Sequence, residues 1–360
     1  MTSIEMFVES SREECVRVAG QAPTSTKWID TDKGVDGKTN VRCRLVARDF
    51  KKKGDTGGFE LFAAMPPLEA KRMLFRMAAV KCREEPEKKY KLLFIDVKKA
   101  HLNGKLKEDQ WAFVSLPDEL GGGVARLRRW LYGMRPAARA WEEDYAGNLV
   151  GAKFIRGKSA PTVFYDPGGD VSVVVHGDEF TALGPTEELD KFEANMRKWY
   201  EVKTRGRLGP DRKDDKEIRI LNRKVVWMED RITYEADERN IQTAMSELGL
   251  DDKSKGLDVQ VPAGGVNMQE PVRELDKEEA TRFRRIAAIL NYVAVDRPDI
   301  QTSVSGLCRD MSSPSTASWA LMKRIGRYLV KHPRMQYEYR MGMDTERTLK
   351  VFSDSDWAGC

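Results

Sequence analysis

Long apolar runs are missing from this sequence. Nowhere do about 18 hydrophobic residues stand together, so no membrane-spanning helix is encoded. The N-terminus lacks an apolar segment of the secretory type; residues 1–22 instead carry Glu5, Glu9, Arg12, Glu13 and Glu14. Cysteine is scarce and scattered, at 15, 43, 82, 308 and 360, with no Cys-x-x-Cys pair. That excludes a spelled-out zinc knuckle and suggests reduced thiols in an intracellular compartment. No internal repeat or low-complexity block appears. A phosphate-binding loop is also absent: Gly157-Lys158-Ser159 has the right ending, but Ala152 stands where such a loop needs glycine.

What is present suits a folded chain. Of 360 residues, 41% are hydrophobic and 33% charged, with 13 Phe, 10 Tyr and 8 Trp to build cores. That length allows two or three domains and the aromatic content argues against a wholly disordered chain. Lysine and arginine number 62 against 57 acids, a net charge of +5. So mild an excess is compatible with a polyanionic partner without requiring one.

The charge is concentrated. Between Lys38 and Lys53 seven cations face one acid, Asp49. Arg42, Arg44 and Arg48 alternate with Val41, Cys43 and Leu45. This period-2 pattern predicts a strand with one basic face, either a solvated edge or a phosphate-contacting surface. Residues 1–37 read as a lead-in, with Gly34 and Gly37 marking turns. Over Glu69–Val80 the positions Ala70, Met73, Leu74 and Met77 predict an amphipathic helix. Tyr90–Val97 (YKLLFIDV) predicts a central, buried strand. Val124–Trp141 holds five arginines and no acid, interleaved with Trp130, Tyr132 and Trp141. Such a mixture suits nucleic-acid contacts, or equally a helix whose arginines snorkel over a core. Further along, hairpins are predicted over Val163–His176 and Val225–Tyr234. Helices are predicted over Glu187–Tyr200 and near 239–248, 274–295, 299–311 and 315–331.

Two acidic sites stand out. Asp96 ends the buried strand, and Asp178 and Glu179 tip a tight reversal at Gly177. If the two strands are neighbours, three carboxylates converge, and their mutual repulsion calls for divalent cations. Otherwise they are unrelated surface acids.

Several blocks, in order, resemble one family. FIDVKKAHLNG (Phe94–Gly104) resembles the aspartate-bearing palm motif of copia/Ty-type retrotransposon reverse transcriptases, and VHGDEF (Val175–Phe180) their Tyr-x-Asp-Asp hairpin. LYGMRPAARAW (Leu131–Trp141) and VRCRLVARDF (Val41–Phe50) are similar to further blocks of that family. Ile289–Leu329 resembles its connection region, and VFSDSDWAGC (Val351–Cys360) the opening of its ribonuclease H domain.

The resemblance implies an α+β right-hand polymerase: fingers, a palm with a mainly antiparallel sheet, a thumb, a connection region and a truncated ribonuclease H strand. The implied limits are a lead-in over 1–37, fingers and palm over 38–200, thumb over 201–262, connection over 263–345 and the ribonuclease H start over 346–360. It also implies template-directed DNA synthesis with two Mg²⁺ ions, or Mn²⁺ in their place. Asp96, Asp178 and Glu179 would be both the catalytic and the metal-holding acids. Glu179 stands where the family usually has aspartate, so it is the acid expected to tolerate change best; His176 replaces the usual tyrosine. Nucleotide contacts are implied for Arg42, Arg44, His101, Tyr132 and Gly133, with His101 in place of an aromatic packed on the sugar. Nucleic-acid contacts fall to Arg128, Arg129, Arg135, Leu208 and Gly209. Asp354 matches a ribonuclease H metal ligand whose partners would lie beyond Cys360, so no RNA-degrading activity is expected. The implied partners are an RNA or DNA template-primer and deoxynucleoside triphosphates, with no membrane, in the cytoplasm or nucleus. The alternative is a decayed retroelement fragment or a host-adopted nucleic-acid-binding protein.

Overall fold

The computed structural model describes residues 5–34, 38–50, 61–236, 238–261 and 271–341. The chain divides into two units, Met1–Asp214 and Asp215–Cys360. No helix among the described residues is long and apolar enough to cross a membrane. The four described cysteines are free.

In chain order the first unit carries β1 (Phe7–Ser10), α1 (Arg12–Ala19), β2 (Thr26–Asp32), β3 (Val41–Ala47), α2 (Leu68–Glu84), β4 (Tyr90–Val97), β5 (Phe113–Ser115), β6 (Val124–Leu127), α3 (Ala137–Gly151), β7 (Ile155–Arg156), β8 (Val163–Asp166), β9 (Val171–His176), β10 (Glu179–Pro185), α4 (Thr186–Trp199) and β11 (Val202–Leu208). Its centre is a six-stranded sheet in the order β11-β4-β10-β9-β8-β7, antiparallel at every pairing. The nearly continuous apolar run of β4 is explained by its central place, since both faces are covered. Leu93, Ile95 and Val97 join Phe180 and Ala182 in a core with Trp141 and Tyr145 of α3 and Leu189 and Phe192 of α4. The opposite face meets α2, where Lys71 approaches Glu179.

The lead-in expected over 1–37 is largely structured. Ser11 caps α1 by accepting the Glu14 N–H, and Gly20 ends it at φ +66°. β1 pairs with β6, and β2 pairs with β3. The partner of β1 lies more than a hundred residues downstream, beyond the reach of any local pattern. β11 falls within the range expected for a thumb and pairs with β4 along the main sheet. The helix α2 forms as predicted, but its buried face is Lys71, Leu74, Phe75, Ala78 and Ala79. The expected stripe is thus rotated, and Met73 is 53% exposed.

The second unit carries β12 (Glu217–Ile220), β13 (Arg223–Trp227), β14 (Arg231–Ala236), α5 (Glu238–Glu247), α6 (Lys277–Ala294), α7 (Pro298–Arg309), α8 (Thr316–Lys331) and β15 (Gln336–Arg340). The strands form one antiparallel sheet in the order β12-β13-β14-β15. Ile241 and Ala244 of α5 share a core with Phe283, Ile286 and Leu290 of α6, Val304 of α7 and Ile325 of α8. Among the described residues, core positions on both sides of the limit expected at 262/263 thus share one cluster. Within this unit Asp296 is buried and satisfied by Arg223 at 2.8 Å and the Tyr234 hydroxyl at 2.9 Å.

Candidate catalytic site

The antiparallel register of the main sheet sets the site. Glu179, the first residue of β10, lies opposite Asp96 near the end of β4. Lys203 of β11 lies opposite Asp96 on its other side, and His176 of β9 lies opposite Glu179. Cross-strand partners share a face. Lys203, Asp96, Glu179 and His176 thus form one row across four strands. The two acidic sites are therefore neighbours, as convergence requires.

Asp178 sits in the two-residue turn before β10. Gly177 takes φ +65° there, a conformation favouring glycine. Two hydrogen bonds fix the turn. The Val97 N–H donates to the Asp178 carbonyl at 2.8 Å, and the Trp141 indole N–H donates to the Gly177 carbonyl at 2.8 Å. Trp141 is buried, so the tip is anchored in the core. Asp178 is exposed; Asp96 and Glu179 are half-buried.

Two cations attend this row that sequence reading missed. Between Thr204 and Gly206 the register of β11 slips, leaving Arg205 as a bulged residue. A bulge re-aims its side chain, and Arg205 Nη1 lies 3.7 Å from Asp96 Oδ2. The glycine after Arg205, inside a strand pattern, was the available signal. From α2, the buried Lys71 brings its Nζ to 3.7 Å from Glu179 Oε2. Burial pushes the Glu179 carboxyl above its ordinary range; Lys71 and Arg205 pull it down, while Asp178 and Asp96 push it up.

His101 and Tyr132, with ring centroids 5.1 Å apart, both feel the Asp178 charge. Burial holds the His101 imidazole below its ordinary value despite the nearby Asp178 charge. The ring is therefore neutral near pH 7. Burial raises the Tyr132 phenol, helped by Asp178 and Asp96 and opposed by Arg42 and Arg44. The fields of both arginines and both aspartates thus meet at Tyr132. The β2–β3 register puts Arg42 opposite Thr31, Arg44 opposite Ile29 and Val46 opposite Lys27. Lys27 shares the arginine face, a third cation that the lead-in reading overlooked.

The Ala47 N–H donates to the Tyr132 carbonyl at 2.7 Å, tying β3 to this turn. Gly133 has φ +83°, and a Cβ there would fall 2.2 Å from the Ala47 carbonyl oxygen. The close approach that glycine permits is made by Ala47.

Hard oxygen donors suit a divalent cation that keeps waters and substrate phosphates, which needs only one or two protein carboxylates. Asp96 and the exposed Asp178 fit that description. Among the described residues no group of three or more His, Cys, Asp or Glu side chains is arranged to hold a metal ion.

Residues 16–209 match the family of reverse transcriptases (RNA-dependent DNA polymerases). The chain belongs to this family. The matched span is nearly coextensive with the first unit. The chain is also similar to curated Pol polyproteins of retrovirus-related transposons. It is 24% identical over 344 residues to that of RE1 from Arabidopsis thaliana, 25% over 348 residues to that of RE2 from the same plant, and 23% over 329 residues to that of TNT 1-94 from Nicotiana tabacum. These matches take in 92%, 92% and 86% of this chain. The chain spans only 22–23% of the length of those relatives.

In this reverse transcriptase chain the remaining expected residues have contacts of their own. The basic–aromatic stretch is split among elements. Trp130 and Trp141 are buried in cores, leaving no face for base stacking. Arg128 pairs with Glu5, Arg129 donates to the Asn103 carbonyl at 3.0 Å, and the Arg135 N–H donates to Asp49 at 3.0 Å. Leu208 is fully buried at the end of β11, and Gly209 packs against Lys91 and Asp214. Asp354 lies outside the described residues.

Proposed function

We propose that this chain catalyses template-directed DNA synthesis, the first unit supplying fingers and palm and the second supplying thumb and connection. The observation that carries this reading is the pairing of β4 with β10, which brings Asp96 beside the Asp178 turn. These two aspartates would hold Mg²⁺ or Mn²⁺, which when bound activates the primer 3′-hydroxyl and neutralises the triphosphate. The chain's own residues do the rest. Arg42, Arg44 and Lys27 offer one basic face to the triphosphate, and the arginine fork suits phosphate. Neutral His101 and Tyr132, their rings tilted 40° to each other, form a half-buried ledge for the sugar. The hydrogen bonds to Gly177 and Asp178 fix the tip before substrate arrives, so positioning costs little during reaction. The 3′-hydroxyl gives up its proton to solvent, its oxygen attacks the α-phosphorus in line, and pyrophosphate leaves with the electron pair of the broken P–O bond. Template-primer and deoxynucleoside triphosphates are the partners this chemistry requires, and they place the reaction inside a cell.

Primer extension tests the reading. Wild-type protein is expected to extend oligo(dT) on a poly(rA) template with Mg²⁺, and the Asp178→Ala variant to lose that extension. Wild-type incorporation no greater than the variant's would defeat the proposal. Template binding without extension would favour the nucleic-acid-binding alternative.

A further inference from the structure

The helix α5 gives only part of its apolar surface to the core of the second unit. Ile241 and Ala244 are buried there, while Met245 and the following Leu250 are only partly covered. Beside them α8 ends, with half-buried Val330 and exposed Pro333. Together they floor a groove of about 580 Å³. Its rim is acidic: Glu238 stands at the start of α5, and Asp251 and Asp252 stand shortly after its end. No lysine, arginine or histidine is among the described residues that line it, although the whole chain carries a net charge of +5. Two cations lie near and are engaged. Arg334 meets Glu238 at 3.4 Å, and Lys331 pairs with Asp258 at 2.7 Å. Asp251 and Asp252 are exposed. Gly249 follows α5 at φ +69°, so the negative end of the helix dipole falls beside these two aspartates. Such a rim repels phosphate, which excludes a nucleic-acid backbone as the occupant. The ten residues of α5 span about 15 Å, long enough to seat the apolar face of a short helix, and methionine adapts to such a face.

We propose that this groove docks a basic amphipathic helix of a partner protein. The apolar face of that helix lies over Met245, Leu250 and Val330, and its lysines or arginines stand beside Asp251 and Asp252. The apolar floor supplies contact, and the acids select the sign of charge and the direction of approach. The inference does not depend on the polymerase reading.

Fluorescence anisotropy tests it, with the full chain added to a labelled leucine–lysine helix roughly 20 Å long, or about fourteen residues. The peptide should bind with a Kd on the order of 10 µM. The same peptide with glutamate in place of lysine should bind at least about tenfold more weakly. Asp252→Lys should weaken the lysine peptide by about tenfold. Glu229→Lys makes the same charge change at an exposed residue before β14, whereas α5 follows that strand; it should alter binding by less than about twofold. Met245→Glu, which puts a charge on the floor, should also cost about tenfold. Should that variant not fold, Ser246→Lys, at an exposed position of the same groove, takes its place with the same expected loss. Equal binding of the two peptides, equal losses from Asp252→Lys and Glu229→Lys, or no loss in the groove variants would each overturn the inference. So would a dimer of the chain in sedimentation that Asp252→Lys dissolves, because the groove would then belong to a second copy.

Discussion

The two ends of β4 handle charge in opposite ways. At its start, buried Lys91 holds Asp211 and Asp214 at 2.8 and 2.7 Å, and the Tyr90 hydroxyl shares Asp170 with Lys81, whose Nζ is 2.6 Å away. At its far end, Asp96 meets Arg205 and Glu179 meets Lys71 only at 3.7 Å, beyond hydrogen-bond reach. One strand therefore carries a hydrogen-bonded ion network at its start and, six residues from Tyr90, wider ion pairs among the described residues. Saturated buried charges hold a fold together. Loosely paired acids at a sheet end keep lone pairs open to a ligand, which the proposed cation site requires.

Substitution at each end should break this contrast if it is wrong. Lys91→Met leaves two aspartates facing an apolar side chain and is expected to cost about 3 kcal/mol in denaturant unfolding. Asp96→Asn relieves repulsion among the acids and should stay within about 0.5 kcal/mol of wild type, on either side. Equal losses would erase the distinction. Gly133→Ala comes next. A φ of +83° and a 2.2 Å clash with the Ala47 carbonyl should cost about 2 kcal/mol and loosen β3, read as a raised KM for deoxynucleotides.

The saturated end also has a pH signature. Burial raises the Asp170 carboxyl, but bonds from Lys81 and Tyr90 outweigh it, so its folded value lies below 3.8. Its contribution is present above 3.8 and lost as pH falls through the folded value. Asp170→Asn should therefore lower the thermal midpoint at neutral pH, by about 1 kcal/mol in stability, and the gap should close progressively in acid below 3.8. A gap that persists unchanged at low pH would contradict the assignment. The smallest effect belongs to Arg205→Gln. Its partly exposed side chain should alter incorporation by only about threefold, and less at high salt; a loss as deep as that of an aspartate variant would make it part of the chemistry.

Much of this was legible in the sequence. The run YKLLFIDV announced a central strand, and Asp166–Asp170 and Gly177 announced reversals, because turn chemistry and apolar runs are local. The helices of the second unit were likewise readable from their period. What the sequence hid was long-range. The partner of β1 lies far along the chain, so the first thirty-seven residues read as linker. Lys71 sits on the buried face of α2, but as a charged residue it shifted the apparent apolar stripe by one position. Arg205 reaches Asp96 only through a bulge, whose single hint was a following glycine. Aromatic residues between arginines suggested stacking, whereas Trp130 and Trp141 fill cores.

The central claim is that Asp96 of β4 and Asp178, in the turn before the neighbouring β10, act as one unit. Single-turnover incorporation of one deoxynucleotide should be measured for Asp96→Asn, Asp178→Asn and the double variant, each with unchanged thermal midpoint. Each single substitution is predicted to cost about a thousandfold, and the double no more than the worse single, as for groups that work together. Losses that multiply in the double variant, or a single variant that keeps wild-type rate, would contradict it.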